Sequence, residues 1–325
     1  MARTPVPLPE LERLYALPLF DLIAQARAVY TEHWPAHEMQ LCSLLSIKTG
    51  GCSEDCSYCA QSSHYSTSVE REQLLSKENV LAAAHRARDE GATRFCMGAA
   101  WKGLKEGDPR LDNVCEIVGA VEKLGMEVCV TLGQLDAGAA RRLKEAGVTA
   151  YNHNIDTSPE YYPEIVTTHT FDDRLRTIEA VQEAGMAVCC GGIVGLGETP
   201  LDRLKMLQVL TTFATAPESV PINCLTAIPG TPLAGQNPVD IFEIVRLVAI
   251  ARLLFPKAKV RLSAGRTRLT REGQALCFLA GANSIFFGSK LLTTPNPEAN
   301  EDLRLLRDLG YAPQVPHASD HPALV

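Results

Sequence analysis

One phrase recurs along this 325-residue chain: an amphipathic run, a small residue with glycine, then a short strand-like run. Its copies are RARDEGATRFCMG, VEKLGMEVCVTLG, KEAGVTAYNHN, QEAGMAVCCGG and FLAGANSIFFG. Gly91, Gly125, Gly147, Gly185 and Gly281 stand where a left-handed residue stops a helix. LLSIKTG, SVPINCL and AKVRLSAG add strands preceded by turns, giving strands at about 42–48, 93–98, 127–132, 149–154, 187–193, 220–225, 258–263 and 283–287. Eight strands with helices between them point to class α/β and a single TIM-type (β/α)8 barrel, the doubly wound open sheet being the other arrangement of the same repeat. Residues 1–39 read as an N-terminal helical extension with its helix at 9–33, residues 40–312 as the barrel, and residues 313–325 as a disordered tail. His317 and His321 in that tail read as incidental rather than as metal ligands.

Charge and hydropathy exclude several classes. Lys+Arg 31 against Asp+Glu 38 leaves a net charge of -7 with no block of like charge, which argues against a nucleic-acid partner. No run approaches the roughly 18 apolar residues of a membrane helix. MARTPVPLPELERL lacks the pattern of a secretion or transit peptide, so a cytoplasmic location is expected. The eleven cysteines should then be thiols, and their spacing becomes the question.

The densest signal is GCSEDCSYC, a C-x3-C-x2-C loop of Cys52, Cys56 and Cys59 directly after the first strand, at the carboxyl end where barrel enzymes carry their sites. Three thiolates on a short loop suit an iron–sulfur cluster with one iron open, or a zinc ion with His64 as fourth ligand. Strand parity sorts other cysteines. Phe95, Met97, Val128, Val130, Leu132, Met186, Val188 and Cys190 share the helix-facing parity, and so do Ile222, Cys224, Val260 and Leu262. Arg94, Cys96, Cys129, Thr131, Cys189, Arg261 and Ser263 are left facing the lumen. A lumen is ordinarily filled by Val, Ile and Leu, so three inward thiols and an arginine suggest a second metal site, against the plainer reading of small buried hydrophobes. Cys42, Cys115 and Cys277 read as strand-start or helix core residues. Asn152, Asn154 and Asp156 share the inward side of YNHNIDT, with His153 packed opposite, and Asn223 also faces in. Asn296 reads as N-cap and Pro297 as first residue of the last helix, beside the hydroxyls of Thr293 and Thr294.

The loop, with LLSIKTGGCSEDCSYCAQS, FCMGAAW, YNHNIDTSPEYY, GGIVGLGET, ESVPIN, VRLSAGR and AGANSIFFGSKLLTTPNP, resembles the biotin synthase family of radical S-adenosylmethionine (SAM) enzymes over about residues 40–310. The resemblance implies a [4Fe–4S] cluster on Cys52, Cys56 and Cys59 whose open iron binds SAM. It implies a [2Fe–2S] cluster on Cys96, Cys129, Cys189 and Arg261, although a guanidinium has no lone pair to give, and Arg261 supporting the cluster through hydrogen bonds alone is the other reading. A swap of Cys189 for Cys190 also stays open. It assigns SAM contacts to Tyr58, Gly98, Ala99, Asn154, Asp156, Arg174, Gly192, Ile193 and Gly195. It assigns substrate contacts to Asn154, Asn223, Thr293 and Thr294. The implied reaction is radical insertion of sulfur into dethiobiotin, with a low-potential electron donor of flavodoxin or ferredoxin type and a homodimer.

Overall fold

The computed structural model describes residues 4–34, 37–288 and 290–315; His317 and His321 lie outside them. Eight parallel strands form the barrel: β1 (Glu38–Lys48), β2 (Arg94–Ala99), β3 (Glu127–Thr131), β4 (Ala150–Asn152), β5 (Ala187–Cys189, continued at Gly192–Val194), β6 (Ser219–Cys224), β7 (Lys259–Leu262) and β8 (Ser284–Phe286). Each pairs with its neighbours in chain order, and β8 returns to β1 through Gln40–Ser284, Leu41–Ile285 and Cys42–Phe286. The ring is therefore closed, which rules out the open sheet.

The parity of the strands is the parity of the core. Phe95, Met97, Val128, Val130, Val188, Ile222, Val260, Leu262 and Ile285 pack outward under the helices, and Cys190 goes with them. Inward, Cys42, Cys96, Cys129, Ala150 and Cys189 form a separate small cluster against Leu44, Ala187 and Phe286. The helices between strands are α3 (Lys77–Asp89), α4 (Pro109–Glu122), α5 (Ala137–Glu145), α6 (Phe171–Glu183), α7 (Pro200–Thr211), α8 (Ile241–Leu254) and α9 (Arg271–Leu279). Side chains of Ser76, Asp108, Asp136, Thr170, Thr199, Asp240 and Thr270 cap their first turns. The glycines expected to end helices at 91, 125, 147, 185 and 281 all have positive φ.

Three details depart from the sequence expectation. The fifth strand breaks at Gly191, where a Cβ would lie 2.0 Å from the Pro221 carbonyl oxygen; Gly192–Val194 then rejoins β6. The last helix, α10, begins at Ala299 with Glu298 at its N-cap, so Asn296 caps nothing. Its amide instead donates to the carbonyls of Phe286 (2.9 Å) and Gly288 (2.8 Å), a tertiary tie that outweighs the local Asn-Pro signal. The presumed start of the tail is ordered, since Ala312–Pro313 pairs with Glu38–Met39.

The N-terminal extension is two helices, α1 (Leu8–Tyr15) and α2 (Leu19–His33), packed on α7 and α8 with Leu11, Leu22, Ala26 and Tyr30 buried. Arg246 ties them down by donating to the carbonyls of Tyr15 (2.9 Å) and Leu17 (2.7 Å). No helix among the described residues is long and apolar enough to cross a membrane.

Candidate active site and luminal cysteines

The cysteine loop leaves β1 through two left-handed glycines, Gly50 (φ 68) and Gly51 (φ 66). Cys52 closes it back on itself, its N–H donating to Gln61 O (2.9 Å) and its carbonyl accepting from Ser63 N (2.7 Å). The Asp55 carboxylate takes the N–H groups of Thr167 (3.0 Å) and Thr168 (3.1 Å), and Glu54 pairs with Lys102 (3.0 Å) and His169. The loop is thus built rather than loose. Burial raises all three thiols, Cys59 to about 11; the thiolates of Cys59 and Cys52 add repulsion at Cys56, and that of Cys52 at Cys59, which a bound cationic group would remove.

Among the described residues, no three His, Cys, Asp or Glu side chains converge on a point where one ion would sit, and His64 Nε2 lies 3.1 Å from the Ser53 carbonyl. Three free thiols spread along one loop suit a cluster, whose thiolate-binding irons are themselves separate.

Beyond the loop, one cavity of about 270 Å³ opens into the barrel. Tyr58 and Cys59 line its mouth, Asn154, Asp156, Ile193 and Asn223 its wall, Cys96, Cys129 and Arg261 its depth, and Thr293 and Thr294 its far side. Asp156 is the hub of the mouth: its Oδ2 accepts from Tyr58 OH (2.9 Å) and Arg174 Nη2 (2.9 Å), while its carbonyl accepts from Ile193 N (2.8 Å). Arg174 is largely buried and also donates to Tyr162 OH (2.8 Å). Asn223 gives one amide hydrogen to Gly192 O (3.0 Å) and accepts from Ala264 N (3.2 Å), leaving a donor and an acceptor for a ligand.

Other expected residues lie off this cavity. Gly98 and Ala99 end β2, and a Cβ on Gly98 would meet Leu292 at 2.6 Å. Gly195 turns away, its N–H donating to the Glu198 carboxylate at 3.0 Å. Gly192 bridges to Asp156 beneath the surface. His153 is packed as expected, its burial holding it neutral well below the usual imidazole range. Thr293 and Thr294 line the cavity, but the helix whose N-terminus was to help them starts at Ala299.

Deeper, the lumen holds more than the sequence parity listed for it above. Cys42 is wholly buried among the luminal thiols, not a strand-start core residue. Its parity with Gln40 and Leu44, opposite Met39 and Leu41, carried that signal. Arg261 is fully buried and acts only as a donor: Nε to Ser284 Oγ (2.9 Å), Nη2 to Gln40 Oε1 (3.4 Å) and Nη1 to Cys189 Sγ (3.5 Å). Cys190, in the outer core, does not reach the lumen.

The family model of the radical SAM superfamily matches residues 46–210, and that of the biotin and thiamin synthesis associated domain matches residues 221–312. Biotin synthase of Methylococcus capsulatus is 57% identical over 301 residues, covering 93% of this chain and 92% of its own. That of Gloeobacter violaceus is 53% identical over 317 residues, covering 97% and 99%. This chain belongs to the biotin synthase family. It is a radical SAM enzyme of biotin biosynthesis, and that superfamily brings SAM and a [4Fe–4S] cluster. Methylornithine synthase shares the fold at 21% identity, with a TM-score of 0.76 over 96% of this chain and 95% of its own. So does the FeFe-hydrogenase maturase HydG of Carboxydothermus hydrogenoformans, at 21% identity and a TM-score of 0.81 over 97% and 77%.

Proposed function

We propose that this biotin synthase family member converts dethiobiotin to biotin, with sulfur drawn from a [2Fe–2S] cluster held in the lumen. The observation that carries the reading is the single cavity whose mouth is lined by Cys59 and whose depth is lined by Cys96, Cys129 and Arg261. A substrate in that cavity would lie between two sets of thiols. Cys52, Cys56 and Cys59 would hold the [4Fe–4S] cluster. Bound together, that cluster and SAM supply a carbon radical able to take hydrogen from an unactivated C–H bond, chemistry beyond any acid or base at neutral pH.

The chain supplies position and dryness. Asp156 and Asn154 offer acceptors to ribose hydroxyls, and Tyr58 and Ile193 line the space for the rest of SAM, with Gly98, Ala99, Gly192 and Gly195 set behind that lining. Arg174 uses two of its N–H groups on Asp156 and Tyr162, which leaves others for the SAM carboxylate. The free amide edge of Asn223, with Asn154, matches the donor and acceptor edge of a ureido ring. Thr293 and Thr294 would take the substrate carboxylate with their hydroxyls alone. All eleven cysteines are free, which fits a reducing, cytoplasmic setting; a flavodoxin or ferredoxin as electron donor and a homodimer as the working form belong to the same proposal.

Anaerobic protein reconstituted with iron and sulfide, then incubated with SAM, a low-potential reductant and dethiobiotin, should yield 5′-deoxyadenosine and biotin by mass spectrometry. 5′-Deoxyadenosine without biotin, from protein verified to hold both clusters, would retain the radical chemistry and sink the substrate assignment.

A further inference from the structure

The lumen has a second side. A cavity of about 520 Å³ lies at the amino end of the barrel, opposite the substrate cavity, and its inner wall is Arg94, Glu127, Ala187, Glu218 and Lys259. Arg94, Glu127 and Ala187 stand two residues before Cys96, Cys129 and Cys189 on β2, β3 and β5. Residues two apart on a strand share a face and lie roughly 7 Å apart, so one layer of side chains separates this cavity from the luminal thiols. Ala187 marks how thin that layer is, since it lines the amino-end cavity and also packs against the luminal cysteines.

Barrel lumens are ordinarily filled by stacked Val, Ile and Leu, which leave no passage. Here the layer is ionic, and its bonds come in alternatives. Arg94 donates to Glu127 (2.6 Å) and Glu218 (2.9 Å), Lys259 to the same two carboxylates (3.3 and 3.2 Å), and Gln40 holds Glu127 from β1 (3.1 Å). Both cations therefore keep Glu127 when Glu218 swings away. Glu218 is also the member that water reaches, its side chain being 30% exposed against 1% for Arg94, and water takes over the bonds of an exposed carboxylate at small cost. Lys144 and Lys257 stand on the outer part of the cavity, and neither forms an ion pair among the described residues. Four cations against two carboxylates make this concavity positive on a chain whose net charge is -7, which draws small anions inward.

We propose that the amino-end cavity is a second entrance to the lumen for small anions of the hydrosulfide class, with Lys144 and Lys257 steering them and the Glu218 carboxylate as the gate. Its purpose rests on the lumen cluster of the proposed function. Sulfur drawn from the lumen has to be resupplied there, and the other route is the substrate cavity, which SAM and dethiobiotin would occupy. Resupply binds the hydrosulfide sulfur to iron and releases its proton to solvent, with no change of oxidation state.

The passage is tested on the full chain free of iron, under anaerobic conditions, by mass-spectrometric mapping of alkylation with iodoacetate, an anion, and iodoacetamide, which is neutral. Cys96 and Cys129 line the substrate cavity and Cys189 does not, while Cys190 beside it lies in the outer core and reports global unfolding. Cys189 should react faster than Cys190. Lys144→Glu with Lys257→Glu should slow iodoacetate at Cys189 about tenfold, leaving iodoacetamide at Cys189 and both reagents at Cys96 unchanged. Ala187→Leu, which thickens the wall, should slow both reagents at Cys189 alone. Glu218→Gln should speed Cys189 by a larger factor than Cys190. Cys189 reacting no faster than Cys190, or following Cys96 in every variant, overturns the entrance, and an unchanged ratio of Cys189 to Cys190 in Glu218→Gln overturns the gate. The purpose has its own test, uptake of radiolabelled sulfide by iron-reconstituted protein in the presence of SAM and dethiobiotin. Uptake should fall severalfold in the double lysine variant, and unchanged uptake beside slowed iodoacetate labelling overturns the sulfide assignment.

Discussion

Asp156 concentrates the cost and the use of the site in one residue. It is the one described non-glycine residue with positive φ (66), a conformation that strains most side chains by about 1 kcal/mol but that Asp and Asn tolerate. Its carboxylate also neutralises the largely buried Arg174. Asp156→Asn should therefore leave the backbone unstrained yet orphan that guanidinium, destabilising the fold by about 3 kcal/mol. Adding Arg174→Met removes the unpaired charge, so the double variant should recover most of the loss in a urea denaturation series while SAM binding by calorimetry stays impaired. A double variant as unstable as the sum of the two singles would show that the pair is not coupled. The polar inward run of YNHNIDT was legible from parity, because alternation along a strand is a local property. The left-handed turn at Asp156 was not, because it is imposed by the bridge to Gly192 on another element. Cys42 was misread as a strand-start core residue, although the rule that found Cys96 applies to it as well, since Met39 and Leu41 fix the outward side of β1.

At the scale of elements, the repeat of helix, glycine and strand made the barrel readable, and its boundaries fell within a few residues of the observed ones. What failed was set across elements: the break in β5 and the start of α10. Both show the same physics, a local signal overridden by a neighbour's carbonyl. Gly191 and Gly98 separate the two kinds of close approach. At Gly191 a Cβ would meet the Pro221 carbonyl oxygen at 2.0 Å, backbone that cannot retreat without breaking β6, so Gly191→Ala should destabilise by about 3 kcal/mol or more. At Gly98 the obstruction is Leu292 Cδ2 at 2.6 Å, the far end of a flexible side chain, so Gly98→Ala should cost under about 1 kcal/mol. Because Leu292 adjoins Thr293, the displaced side chain should instead raise the KM for substrate. Equal thermal destabilisation of the two variants would mean that strand β6 yields as easily as a leucine rotamer.

The whole molecule divides its barrel by charge. The carboxyl end carries the thiols and the cavity, and the amino end is closed by two cations alternating with two anions: Arg94 with Glu127 (2.6 Å) and Glu218 (2.9 Å), Lys259 with Glu127 (3.3 Å) and Glu218 (3.2 Å). Such a network has zero net charge, and the Arg261 cation adds to the field that keeps Glu218 ionised. Burial works against the charged form of Glu218, but Arg94 and Lys259 outweigh it and hold the carboxyl at about 2, below its usual value of about 4.5. Glu127 is lowered in the same direction. A depressed carboxylate stabilises the fold fully above its unfolded value, and the contribution fades as pH falls from about 4.5 towards about 2. Glu218→Gln should then cost about 2 kcal/mol at neutral pH, less than a fully buried pair because the Glu218 side chain keeps some exposure. The gap between variant and parent should narrow below about pH 4.5 and nearly vanish near pH 2. Both chains carry the same thiols, so acid loss of whatever those thiols hold cancels in the difference between their unfolding free energies. A gap that stays constant from pH 7 to pH 3 would mean that the Glu218 contribution is packing rather than charge, and that the amino end of the barrel does not depend on its ion pairs.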